Sequence, residues 1–225
     1  MLGGGRGKGV WTEHSDWDCY VIAADGKGPQ AAASVEGLGL IKVDAGVQEL
    51  NEFMAYAAVG SEFDWDRYAF AHVRASLDKL GGQVQLAVDA KGTLPPEASE
   101  RIAREALDAY CNSMLRSLKN ARDGERFAAR LDAQESLPFL LETLFAWEGR
   151  VRPFNKFLRW ELEHFPLAGS AMEDLLEALG ELAGDGDPGT QAALFRTVEG
   201  IARTRGCGDV LDAWGADLEL LRAGA

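Results

Sequence analysis

Two aspartates, Asp16 and Asp18, stand two residues apart in the run Ser15-Asp16-Trp17-Asp18-Cys19-Tyr20-Val21-Ile22. A strand has a side-chain period of two, so both carboxylates project from one face. Two carboxylates side by side repel each other unless a cation sits between them. A hard divalent cation such as Mg²⁺ suits carboxylate oxygens and is commonly shared with substrate phosphates. Just upstream lies a basic, glycine-rich turn, Gly4-Gly5-Arg6-Gly7-Lys8-Gly9. Gly4 and Gly5 let backbone N–H groups approach a phosphate closely. Arg6 and Lys8 would face triphosphate oxygens, the first through its fork and the second as a point charge. A phosphate cradle beside a metal-binding acid pair is the logic of phosphoryl or nucleotidyl transfer.

The turn fits neither common phosphate loop. The Walker spacing would put Leu2 and Gly9 where Gly and Ser/Thr are required, and no strand precedes a Rossmann-type glycine run. The stretch instead resembles the signature of the nucleotidyltransferase superfamily, the polymerase β-like group that includes the aminoglycoside nucleotidyltransferases. Gly4 and Gly5 take the Gly-Ser places, Lys8-Gly9 the Arg-Gly places, and Ser15-Asp16-Trp17-Asp18 the acidic end. Gly5 departs from the family's serine and leaves only its backbone N–H as a phosphate donor. The resemblance implies nucleotide contacts from Gly4, Gly5, Arg6, Lys8 and Ser15. It also implies a helix and a strand ahead of the signature. Here the signature starts a few residues after Met1, so either those elements are missing or the start was assigned too far downstream.

The elements that would position these residues follow from pattern. Asp18 to Ala24 reads as a buried strand closed by Asp25-Gly26, and Gly26 to Ala33 as a loop. Leu40 to Val47 reads as a second strand, with Ile41, Val43, Ala45 and Val47 on one face and Lys42 and Asp44 on the other. Gln48 to Val59 reads as a helix burying Leu50, Phe53, Met54 and Ala57, and Val73 to Asp78 as a short strand stopped by Gly81-Gly82. The resemblance implies a third acid on a neighbouring strand. Asp44 is the choice, with Asp78 as a rival better suited to capping the turn.

After Pro95-Pro96 the apolar period becomes helical. Helices are expected over about 97–119, 125–147 with a bend near Pro138, and 154–165 after Pro153. Further helices are expected from Ser170, with Glu173 completing a capping box, from Asp187-Pro188, and in a last segment ending near Arg222. Arg150 and Arg152 precede the Pro153 helix, and Lys156 lies in its first turns, where a cation opposes the helix dipole unless an anion is bound. This segment resembles the lysine-bearing helix of the aminoglycoside adenylyltransferases, which implies a nucleotide contact for Lys156. Arg116 and Lys119 share one helix face, and Asp132 and Glu135 another. Glu135 is the choice for a general base that takes the acceptor's proton. His14, His72 and His164 lack metal-ligand spacing and read as structural or surface residues.

Composition narrows the partners. The 225-residue chain carries a formal net charge of −13, which argues against nucleic acid, since non-specific binding needs a basic footprint. Cys19, Cys111 and Cys207 show no pairing or metal spacing and suit a reducing cytoplasm. No apolar run is long enough to cross a membrane. The expectation is an α+β chain: a small mixed-sheet nucleotidyltransferase domain over 1–92, then an all-helical C-terminal domain over 93–225. As the resemblance implies, Asp16, Asp18 and Asp44 would hold two Mg²⁺ ions about 3.5–4 Å apart. AMP would pass from ATP to a hydroxyl of a small acceptor, and the acidic balance favours a cation such as an aminoglycoside. Two alternatives stand beside this: a catalytically silent nucleotide-binding module with a regulatory role, and an adenylyltransferase acting on a partner protein.

Overall fold

The computed structural model describes residues 1–39, 42–168 and 175–224. The chain is α+β and divides into two units, Met1–Leu94 and Pro95–Ala225.

In the N-terminal unit, a short helical turn α1 (Gly4–Gly7) leads into strand β1 (Trp17–Ala23), helix α2 (Gly28–Glu36), strand β2 (Val43–Glu49) and helix α3 (Leu50–Ala55). A 3₁₀ segment (Asp64–Phe70) and helix α4 (Gln83–Gly92) follow. β1 and β2 pair in parallel, with Asp18 opposite Asp44 and Val21 opposite Val47. Met1–Gly3 lies along the other edge of β1. Leu2 bridges Cys19 in the antiparallel sense, Gly3 N–H donates to Asp18 O at 2.8 Å and Tyr20 N–H to Met1 O at 2.8 Å.

Several sequence expectations change here. The loop expected over Gly26–Ala33 is largely α2: Pro29 sits in its first turn, where its missing N–H costs nothing, and the alanines that follow favour helix. The helix expected from Gln48 to Val59 is shorter, because Gln48 and Glu49 finish β2 and Ala57 adopts a positive φ of 51°. Leu50, Phe53 and Ala57 are buried, whereas Met54 is 54% exposed. No strand forms over 73–78. Asp78 instead accepts the N–H groups of Leu80, Val84 and Gln85, so its carboxylate organises the start of α4. Residues 40 and 41 of the second expected strand lie outside the described residues.

Three buried cations terminate three elements of this unit. Lys8 Nζ donates to Tyr68 O at 2.8 Å, to Ala71 O and to Ala69 O at 3.5 Å, at the end of the 3₁₀ segment. Arg67 donates to Ala90 O, Lys91 O and Thr93 O at the end of α4. Lys91 Nζ donates to Met54 O at 3.2 Å in the last turn of α3. Positive charge is favourable where helix carbonyls lack intrahelical partners, and here the cations that reach them are themselves buried. Phe53, Tyr68 and Phe70 pack around these groups, with Lys91 Nζ 4.7 Å from the Phe53 ring centre and Lys8 Nζ 4.4 Å from that of Tyr68.

Among its described residues the C-terminal unit is built from helices joined by short connections. Its helices are α5 (Pro96–Arg122), α6 (Arg126–Ala146), α7 (Asn155–His164), α8 (Leu175–Gly184), α9 (Pro188–Thr204), α10 (Gly208–Asp212) and α11 (Asp217–Ala223). Leu107, Met114, Leu118, Leu140, Phe145, Phe195 and Leu221 form one core. α6 runs through Pro138. Asp187 caps α9, accepting Thr190 N–H at 2.7 Å. The helix start expected at Ser170 and Glu173 falls outside the described residues.

Candidate functional site

β1 is built from the β-favouring run Trp-Asp-Cys-Tyr-Val-Ile-Ala, and Asp18 sits near its beginning. In a parallel pair, residues in register point to the same side, so Asp18 and Asp44 share one face of the sheet. Gly4 lies against Asp18. Its φ is +54°, and a Cβ there would overlap Asp18 Oδ2. Only glycine lets the turn approach the carboxylate in this way. Gly5 is held by its carbonyl, which accepts Val10 N–H at 2.7 Å.

Arg6 joins the turn to the motif. Its Nε donates to Asp16 O and one Nη to Ser15 O, each at 3.0 Å, and the guanidinium lies 4.0 Å from the centre of the Trp17 ring. Ser15 Oγ accepts Thr12 N–H at 2.9 Å, which tightens the bend ahead of β1. A cavity of about 680 Å³ opens at the start of the two strands and brings together Arg6, Ser15, Asp16 and Asp44, with Glu13, His14 and Lys42 also on its wall. Asp16 and Asp44 are exposed and Asp18 is half-buried.

The structure brings some of the expected residues together and leaves others apart. Asp18 lies beside Gly4, while Asp16 and Asp44 line the cavity. Among the described residues, no group of three Asp, Glu, His or Cys side chains stands close enough to hold a metal ion. Lys8 departs from its expected place at a phosphate: it is 8% exposed, and its ammonium is spent on backbone carbonyls. Glu135 and Lys156 belong to the C-terminal unit. Glu135 is ion-paired with Arg116, which also meets Asp132 at 2.9 Å, so the expected base is tied to a cation. Lys156 is exposed in the first turn of α7, 4.8 Å from the Phe157 ring centre.

Sequence reasoning missed Glu13, Lys42 and Asp66, and treated His14 as uninvolved. Glu13 and His14 form an exposed pair at 3.6 Å. Asp66 accepts the Tyr56 hydroxyl at 2.7 Å. Burial raises the Asp66 carboxyl above the ordinary range, against the opposing effects of the Tyr56 hydroxyl and the Lys8 charge. The Tyr20 phenol is pushed up to about 12, first by burial and then by the negative charges of Asp66, Asp18 and Asp44. Nothing in the local pattern around Asp66 marks it, because its placement depends on the 3₁₀ segment. Glu13 and Lys42 flank the two motif strands, and that adjacency was the available signal.

No family model, curated protein or solved structure matches this chain.

Proposed function

We propose that the N-terminal unit binds a nucleoside triphosphate with Mg²⁺ and transfers a nucleoside monophosphate, AMP from ATP, to a hydroxyl of a small molecule. The observation that carries this reading is the in-register pair Asp18 and Asp44, with the glycine turn pressed against Asp18 at Gly4. Carboxylate oxygens on one sheet face fit a hard divalent ion. Asp18 and Asp44 would hold it, and Asp16 lines the same cavity as Asp44. When bound, Mg²⁺ neutralises the triphosphate and makes the acceptor hydroxyl more acidic.

The chain's own residues do the positioning. Gly4 and Gly5 admit phosphate oxygens to the backbone. Arg6 uses two of its N–H groups to hold Ser15 and Asp16, and its remaining ones serve an anionic ligand at the cavity wall. The cavity's own acids, Glu13, Asp16 and Asp44, favour a cationic acceptor.

Pyrophosphate release from ATP and Mg²⁺, measured with a panel of small hydroxylated compounds, tests the reading. Release is expected, with a loss of about 100-fold or more in Asp18→Asn and Asp44→Asn. Release that persists in both variants would exclude this site.

A second reading is a nucleotide-binding module without turnover. The Lys8 ammonium, held by the Tyr68 and Ala69 carbonyls and outside the cavity lining, favours it. Calorimetry with a non-hydrolysable ATP analogue separates the two, since binding without release supports the silent module.

A further inference from the structure

The sheet has an open side. β1 is paired on both edges, by β2 and by the Leu2 bridge, whereas β2 is paired only with β1 among the described residues. Among the described residues, no backbone–backbone hydrogen bond outside that ladder involves Val43–Gln48, while Glu49 N–H donates to Glu52 at the start of α3. The strand carries no proline and no bulge, two of the usual devices that stop an edge from recruiting another strand. A two-stranded sheet is also marginal by itself, and a third strand adds stability.

We propose that β2 pairs antiparallel with β2 of a second copy of this chain, joining two sheets into one across a two-fold axis at Ala45. The argument for a second copy is self-complementarity. Val43, Ala45 and Val47 are the half-buried side of the strand, and Asp44 and Gly46 the exposed side. Centred on Ala45, Val43 of each copy meets Val47 of the other, and Ala45 meets Ala45. Asp44 then faces Gly46, so no like charges stand opposite each other. A slide of one residue would set the half-buried side of one strand against the exposed side of the other, and a two-fold at Asp44 would oppose like charges. Paired apolar side chains across strands stabilise, and opposed like charges destabilise.

Gly46 gives the test. A Cβ there meets nothing within 4 Å, and its φ is not in the left-handed region, so a side chain is accommodated in the single copy. Gly46→Asp sets carboxylates opposite Asp44 at two symmetric places, and Gly46→Lys sets ammonium groups there instead. Sedimentation of the full chain over a wide concentration range is expected to show a monomer–dimer equilibrium. It should weaken about tenfold in Gly46→Asp and hold or tighten in Gly46→Lys. Hydrogen exchange of the Val43–Glu49 amides should slow as concentration rises, a readout that needs no variant. A chain that stays monomeric throughout overturns the proposal. So does a dimer that both substitutions leave unchanged or abolish alike. Neither result bears on nucleotidyl transfer, which is read by pyrophosphate release.

Discussion

The ammonium of Lys8 donates to the carbonyl of Tyr68 at 2.8 Å, joining residues 60 positions apart inside the N-terminal unit. A lysine from a glycine-rich basic turn thus closes the end of a 3₁₀ segment. Lys8→Met is expected to destabilise this unit by about 2–4 kcal/mol, since buried carbonyls lose their donor. Chemical denaturation checks it. If Lys8 served a phosphate instead, the substitution would raise the nucleotide Kd and leave stability unchanged.

Gly4→Ala tests the approach of the turn to Asp18. The new Cβ would overlap Asp18 Oδ2 and stand at a φ of +54°. A stability loss of roughly 1–2 kcal/mol is expected from strain, together with a fall in pyrophosphate release of about tenfold or more as Asp18 is displaced. Gly9→Ala is the control. Gly9 has a φ of +75° and nothing within 4 Å of an added Cβ, so it should show the strain without the loss of release.

Lys91 predicts a pH dependence. Burial, and then the Arg67 charge, lower its ammonium from 10.5 to about 8. The fold therefore disfavours the protonated form, and this cost is fully present below about pH 8. As pH rises from about 8 towards 10.5, the folded state gives up its proton before the unfolded state does, and stability rises by up to about 3 kcal/mol. Urea midpoints of the N-terminal unit across that interval check the slope, and Lys91→Met should flatten it.

Glu199 predicts a slope of the same sign in the C-terminal unit, but in an acid interval and because the fold there favours the charged form. Hydrogen bonds from Arg222 and Arg203 hold its carboxyl at about 2, below the ordinary 4.5. The stability this supplies is present above about pH 4.5 and lost as pH falls towards about 2, on the order of 2 kcal/mol. Acid titration of helix content checks it, and Glu199→Gln should remove most of the slope in this interval.

The parts of the fold legible in the sequence were those with strong local patterns. The β-branched and aromatic run after Asp18 gave β1, and the apolar periods after Pro95 gave α5, α6, α7 and α9. What was not legible depended on distant contacts. α2 hid in a segment of Gly, Pro and Ala that reads equally well as loop or helix. α4 has little amphipathic pattern because it buries Lys91 beside Val84 and Val88. Lys8 read in sequence as a phosphate contact, Arg67 and Lys91 carried no local signal, and only packing shows that each closes a helical segment. Around the candidate site, the spacing of Asp16, Asp18 and Asp44 was visible and Glu13 and Lys42 stood next to them in sequence, whereas Asp66 needed the packing of the 3₁₀ segment to appear.

The cut between the two compact units falls at one peptide bond, between Leu94 and Pro95, so the polypeptide passes from one to the other a single time. Each half is an uninterrupted stretch with its own interior. Cut at that bond, each fragment is expected to fold by itself, and a ligand would be traced to its owner by asking which fragment alone still captures it.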